Sequence, residues 1–272
     1  MERKLFARFC DITYEKSGIT LKPGKEALVA ARVAKRQRVL GIDTAQRYLE
    51  YLEADPNGEE LVHFLDAIST NYTHFFREMP HFEALAKEVK RWTAAGQKRI
   101  RIWSAASSTG EEPYSIVITV LNTLENPDAD FKLLATDIST QVLAKACAGV
   151  YQGQQLEPVP ASLKSQYFRR IDDKKKGDND LYEVKAEYKR RVVFKRLNLS
   201  KPPFPMPGPL DAVFCRNVMI YFDRTVRQGL ISEVERLLKP GGVLFIGHSE
   251  TLTGITTGLR IETPSVYRKP LT

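Results

Sequence analysis

The sequence predicts an α/β chain: a parallel sheet with covering helices, carrying a compact β insertion and preceded by a small all-α unit. Three observations carry this expectation. Residues 1 to about 78 show helical spacings and nothing that reads as a strand. From Arg99 onward short apolar runs alternate with amphipathic ones, the pattern of a parallel sheet. Between about 151 and 191 the alternation breaks into short segments around a charged turn.

The N-terminal unit spans 1–78. Leu5, Phe9 and Ile12 fall on one helical face. A second helix runs from Gly24 to Leu40 and is closed by Gly41. Asp43 is expected to cap a third helix reaching about Glu53, and Pro56-Asn57-Gly58 turns the chain into a fourth, Glu59 to Ser69. On the second helix Arg32, Lys35 and Arg36 share a face, with only Glu26 nearby as a balancing acid. Two adjacent aromatics, Phe75 and Phe76, are expected in a core. A linker helix, within 79–98, follows from Pro80 to Ala95.

The α/β unit occupies 99–272 and is organised around its first turn. Arg99 to Trp103 alternates like a strand, a run of small residues follows, and a helix begins near Pro113. A strand, a tight turn and a helix N-terminus form the usual ligand site of α/β folds. There is no G-x-G-x-x-G, so the dinucleotide fingerprint is missing. Glu111 and Glu112 at the helix start would repel a pyrophosphate but suit a ligand bearing an ammonium group. A second strand, Phe131 to Thr136, ends in Asp137, where this architecture holds a ribose diol. A helix follows from Ser139 to Ala148.

The insertion, about 151–191, pairs Gln166–Arg170 with Leu181–Lys185 around the charged run Asp172–Asp180. Strands then return at Arg191–Leu197 and Leu210–Cys215, separated by a proline-rich loop. A helix from Thr225 to Leu238 stops at Pro240-Gly241-Gly242, and Val243–Ile246 is the fifth strand. Arg260 to Arg268 supplies the last strand or strands.

Composition narrows the function classes. No segment is apolar for long enough to span a membrane. Charges at Glu2, Arg3, Lys4 and Arg8 leave no secretory signal, so a cytoplasmic protein with free thiols is expected. The three cysteines and four histidines show no ligand spacing, and no metal site is expected. A net charge of +8 favours an acidic partner, either nucleic acid or an acidic protein surface.

Five segments together carry a resemblance. These are Asn71-x-Thr73-x-Phe75-Phe76-Arg77, Trp103 to Ser115, Ala135-Thr-Asp-Ile138, Phe214-Cys-Arg-Asn-Val-Met-Ile-Tyr-Phe222 and Gly247-His-Ser-Glu250. In this order they resemble the CheR family, chemotaxis receptor methyltransferases that use S-adenosylmethionine to esterify receptor glutamates. The resemblance covers nearly the whole chain. It implies a helical N-terminal domain and a Rossmann-like methyltransferase domain with a β insertion. It assigns cofactor contacts to Asn71, Thr73, Arg77, Glu112, Asp137, Asn198, Leu199, Asn217 and Val218. Arg77 is expected to hold the substrate carboxylate and Tyr221 to line the same pocket. Arg32, Lys35 and Arg36 are expected to meet the receptor's anionic methylation helices, with no nucleic acid and no membrane insertion. In some members the β insertion docks a receptor C-terminal peptide. The long polar run from Ile171 to Asp180 is read against that tether here.

Overall fold

A computed structural model describes residues 1–69, 71–124, 129–171 and 180–271. The N-terminal helices are α1 (Arg3–Ser17), α2 (Glu26–Leu40), α3 (Ala45–Glu53) and α4 (Glu59–Ile68). Their core forms around the rings of Phe9, Tyr48 and Phe64, with Val29 and Val33 of α2 fully buried beside them. Gly41 closes α2 in the left-handed region at φ 69°, as its sequence position predicts. Thr44, not Asp43, caps α3, its hydroxyl accepting from Arg47 N–H at 3.2 Å. The cap lies one residue later than expected, and Asp43 instead pairs loosely with Arg47 on the surface at 3.8 Å.

The α/β unit continues with α5 (Pro80–Ala94), β1 (Arg99–Ser104), α6 (Glu111–Thr123), β2 (Asp130–Asp137) and α7 (Thr140–Ala148). The insertion holds β3 (Val150–Gln152), α8 (Ala161–Tyr167), β4 (Phe168–Ile171), β5 (Leu181–Val184) and α9 (Ala186–Lys189). Then come β6 (Val192–Arg196), β7 (Leu210–Cys215), α10 (Arg224–Leu237), β8 (Leu238–Ile246), β9 (Arg260–Thr263) and β10 (Val266–Arg268). Seven strands form the main sheet in the order β6-β2-β1-β7-β8-β10-β9, and β3-β5-β4 form a separate small sheet. The pairs β6–β2–β1–β7–β8 are parallel, while β10 runs antiparallel to β8 and β9 to β10. The expected charged turn of the insertion, 172–179, lies outside the described residues.

Three departures have physical causes. Helix α6 begins at Glu111, two residues before Pro113, because Gly110 takes φ 99° and its two acids face the positive helix end. A side chain at Gly110 would also meet Tyr151 Oη at 2.6 Å and Ala146 Cβ at 2.9 Å, so only glycine fits. Strand β8 starts at Leu238 and runs through Pro240-Gly241-Gly242, which the sequence reads as a stop. The pairing with β7 shifts register there, so a bulge absorbs the proline and glycines. Within the insertion, α8 and α9 carry too few residues for periodicity to reveal them.

Phe75 and Phe76 are buried, as expected, but in the core of the sheet unit rather than in the bundle. Phe75 packs edge-on against Tyr151 and Phe168 of the insertion, with ring centroids 5.0 and 5.6 Å away. The bundle and the sheet unit join at several points. Asp66 of α4 accepts from Thr140 N and Oγ1 at the start of α7, at 3.0 and 2.9 Å. Ile19 bridges Phe222, and Thr20 N–H donates to Tyr221 O at 2.8 Å. Among the described residues no helix is long and apolar enough to cross a membrane.

One cation of α2 departs from the surface cluster expected of it. Positions 29, 33, 36 and 40 form a helical stripe as well as 32, 35, 36 and 39 do, and Arg36 follows the buried one. Its Nε and Nη2 donate to the two oxygens of Glu60 at 2.9 and 2.6 Å, and Tyr48 Oη donates to Glu60 at 2.6 Å. Glu60 sits at only 4% exposure and Tyr48 at 0%, so this carboxylate depends on its partners. Arg36→Ala should destabilise the protein by about 2 kcal/mol, less than a fully buried pair because the guanidinium keeps some water. Lys35→Glu, on the exposed face, should stay within about 0.5 kcal/mol of the parent. Urea unfolding of both variants measures the contrast.

Candidate functional site

A cleft of about 450 Å³ opens beyond the carboxyl ends of the parallel strands, within the range typical of small-ligand sites. It lies where the chain order reverses between β1 and β7, the position at which open α/β sheets bind ligands. The sheet unit lines it with Ala105, Ala106, Ser108, Glu112, Asp137, Asn198, Leu199, Asn217, Val218 and Tyr221. The bundle adds Ile19, Thr20, Lys22, Lys25 and Leu28, and the connecting segment adds Asn71, Tyr72, Thr73 and Arg77. Thus all the residues expected at the cofactor, together with Tyr221, converge on one cleft. Arg32, Lys35 and Arg36 lie outside it, further along the helix whose first turn, with Leu28, forms one lip.

The cleft floor is anionic and constrained. Glu112 Oε1 accepts from Ser104 Oγ at 2.7 Å and Oε2 from Arg216 Nη1 at 3.0 Å. Burial pushes the Glu112 carboxyl above the usual carboxylate range, and Arg216 and Ser104 only partly offset it. Asp137, at 8% exposure, accepts from the backbone N–H groups of Ser108 and Ser139, each at 2.9 Å. It thereby ties the first turn to the start of α7, and burial raises its pKa as well. Asp137 thus supports the start of α7 and walls the cleft at once.

Arg216 sits at the centre. It is buried, donates to Arg77 O, and holds Glu78 Oε2 at 3.1 Å on the side opposite Glu112. Its guanidinium lies 5.6 Å from the ring centroid of Phe82. Although burial pushes Glu78 upward, Arg216, the Asn217 amide and His248 N–H hold its carboxyl below the ordinary range. Glu78 and Asn217 both adopt left-handed backbone, at φ 60° and 57°. Strain of this kind persists where surrounding contacts over-determine the conformation. Asn217 N–H donates to Glu250 Oε2 at 2.8 Å, and Gly247 N–H donates to the same oxygen at 2.7 Å.

The remaining predicted residues divide by what their side chains already do. Asn198 donates its amide to Lys16 O at 2.7 Å, and its oxygen accepts from Ser200 N and Oγ. It offers the cleft little beyond its backbone. Arg77 is half-buried at the mouth, its Nη1 donating to Tyr72 O at 2.9 Å and its guanidinium 5.6 Å from the Tyr72 ring centroid. The rest of its planar fork is available to a ligand. Tyr221 uses its backbone carbonyl to hold Thr20. Sequence reasoning missed Arg216 and Glu78. Arg216 stood inside a quoted motif, and a buried arginine at the end of a fully buried strand was the signal.

The donor set fits S-adenosylmethionine. The Glu112 carboxyl lines the cleft where an ammonium would sit, and Asp137 stands at the strand end suited to a ribose diol. The small side chains of Ala105, Ala106 and Ser108 let the ligand approach the turn between them. Family comparisons agree. A model of the CheR methyltransferase all-alpha domain matches residues 4–69, and one of the CheR methyltransferase SAM binding domain matches 71–267. The chemotaxis protein methyltransferase of Salmonella typhimurium is 40% identical over 262 residues, covering 96% of this chain and 88% of that protein. That of Escherichia coli K12 is 39% identical over 262 residues, covering 96% and 89%. That of Borreliella burgdorferi is 37% identical over 270 residues, covering 97% and 93%. The chain belongs to the CheR family of chemotaxis methyltransferases, with S-adenosylmethionine as its cofactor.

Proposed function

We propose that this enzyme esterifies glutamate side chains on the cytoplasmic methylation helices of chemoreceptors. The observation that carries the proposal is Arg77, a cation at the cleft mouth whose fork is partly held by Tyr72 and otherwise free to take a carboxylate. S-adenosylmethionine supplies a methyl group on a sulfonium, from which a carboxylate displaces a neutral thioether. A glutamate with a pKa of about 4.3 is already ionised at neutral pH, so no general base is needed. The new bond is carboxylate oxygen to carbon, the broken bond is carbon to sulfur, and no proton moves.

The residues then have separable tasks. Glu112 holds the ammonium end, Asp137 the ribose diol, and Asn71, Thr73, Asn198, Leu199, Asn217 and Val218 complete the cofactor's cradle. Arg77 orients the substrate carboxylate toward the methyl group, where alignment supplies much of the rate. Tyr221 closes the same pocket and limits water, which solvates both reacting charges. Arg32 and Lys35 on α2, joined by Lys22 and Lys25 at the lip, present a positive field to an anionic helix. Arg36 contributes only through its pair with Glu60, so the docking field is smaller than the sequence implies. Docking of a receptor peptide on the β insertion is not favoured.

Arg77→Ala should lose far more turnover than cofactor affinity, and Arg77→Lys should recover only part of it because a point charge does not replace a planar fork. Equal losses in both would make Arg77 a cofactor residue alone.

Asp137→Ala should weaken S-adenosylmethionine binding by roughly 1.5–3 kcal/mol, the range for a hydrogen bond to a charged group. The pH dependence has a definite sign. Burial raises the pKa of both Glu112 and Asp137 in the free enzyme, while the bound ammonium favours the ionised form. Affinity should therefore be complete at neutral pH and fall on acidification, beginning above the ordinary carboxylate range. Calorimetric titrations across pH check both statements.

Reversing Arg32 and Lys35 to Glu together should raise the substrate KM several-fold and leave cofactor affinity unchanged. Methylation of receptor membranes by the parent should decline with added salt. Undiminished methylation by the double variant at low salt would move substrate docking elsewhere.

A further inference from the structure

Behind the cleft, two residues three positions apart meet a third that is distant in sequence. Glu78 follows Arg77, His81 lies in the first turn of α5, and His248 lies in the loop after β8. One ligand-type atom from each lies within 4.8 Å of the others. The sequence hides the group, because His248 is separated from Glu78 and His81 by most of the α/β unit.

Hydrogen-bond accounting exposes an imbalance there. Ser265 Oγ lies 2.6 Å from Pro264 O and 2.7 Å from His81 Nε2, so a hydroxyl that donates to the carbonyl accepts from the ring. A neutral His81 ring that donates to Ser265 carries its proton on Nε2. Its Nδ1 presents a lone pair, and that atom is buried with no hydrogen-bond partner in a side chain at 1% exposure. It faces Glu78 Oε2 at 3.4 Å, and this carboxylate is kept ionised by Arg216. Two acceptors thus confront each other across a gap that calls for a positive charge.

We infer that Glu78, His81 and His248 form a three-ligand site for a zinc-like divalent cation. Bonds of about 2.0–2.1 Å in tetrahedral geometry separate ligand atoms by about 3.4 Å. The His81–Glu78 distance already matches, and His248 Nε2, 4.0 Å from the same oxygen, needs only a small movement. The two imidazoles are nearly perpendicular, at 77°, with centroids 4.9 Å apart. Two imidazoles and one carboxylate favour zinc and its first-row neighbours over magnesium or calcium. His248 is half-exposed, which provides an entry path and leaves a fourth position for water. Ser265 accepts from the far side of His81, the outer-shell support that metal-bound histidines carry. Arg216 holds the same Glu78 oxygen at 3.1 Å and so fixes where it points. The ion would bind Arg77's neighbour to the loop of Gly247 and Glu250, which in turn holds Asn217.

The test uses the full chain, stripped of metal, titrated with Zn²⁺ against a chromophoric chelator and with Co²⁺ as a spectroscopic probe. One equivalent should bind, with a tetrahedral-type cobalt spectrum. His248→Ala should weaken binding at least tenfold, and Ser265→Ala by about 10–100-fold as an outer-shell loss. His63→Ala, on the exposed face of α4, should bind as the parent does. Nitrogen-15 spectra should show Zn²⁺ shifting the His81 Nδ1 resonance. If that resonance stays in place, or if His248→Ala and Ser265→Ala bind Zn²⁺ as tightly as the parent, the gap holds a proton shared between His81 and Glu78 and the metal site is wrong.

Discussion

The buried guanidinium of Arg216 is the contact on which the rest of the cleft depends. A single positive charge at the end of β7 stands between Glu78 and Glu112. Breaking such a group by removing one member leaves an uncompensated charge in the interior. The same side chain reaches the backbone of Arg77, so the cofactor floor and the residue at the mouth share one support. The positive-φ residues Phe76, Glu78 and Asn217 gather around it. Two chain segments, 76–78 and the one that carries Arg216 itself, are bent where they meet at this cation.

The bundle is part of the site as well as an attachment to it. Lys22, Lys25 and Leu28 form a lip that the sheet unit alone lacks. The join is polar and dispersed: the Asp66 contacts to α7, the Ile19–Phe222 bridge and the Asn198 amide on Lys16. Joins of this kind rest on geometry more than on apolar area, which suits a cleft that must admit a ligand between its halves.

Much of this was legible in the sequence because local chemistry decides it. Gly41 must end α2, the strand from Arg99 alternates in the expected way, and the motif positions fall at strand ends where a parallel sheet gathers them. What was hidden depends on non-local choices. Arg36 lies on two helical stripes at once, and only the arrival of Glu60 and Tyr48 from other helices selects the inner one. The Pro240-Gly241-Gly242 run carries the signature of a turn, yet the bulge against Leu210 makes it strand. Glu112 was read as a free anion, while its charge is shared with an arginine 104 positions away. His248 stands far from the other histidines in sequence, and its neighbours His81 and Glu78 are visible only in three dimensions.

The burial of Phe75 and Phe76 in the sheet core has an evolutionary consequence. Arg77 is anchored by rings that pack on Tyr151, Phe168 and Phe82, none of which belongs to the bundle. The charged face of α2 stands on a different core, built by Phe9, Tyr48 and Phe64. Surface substitutions on α2 can therefore accumulate without displacing Arg77. Variation on the α2 surface and constancy of the Arg77 geometry are thereby compatible within one chain.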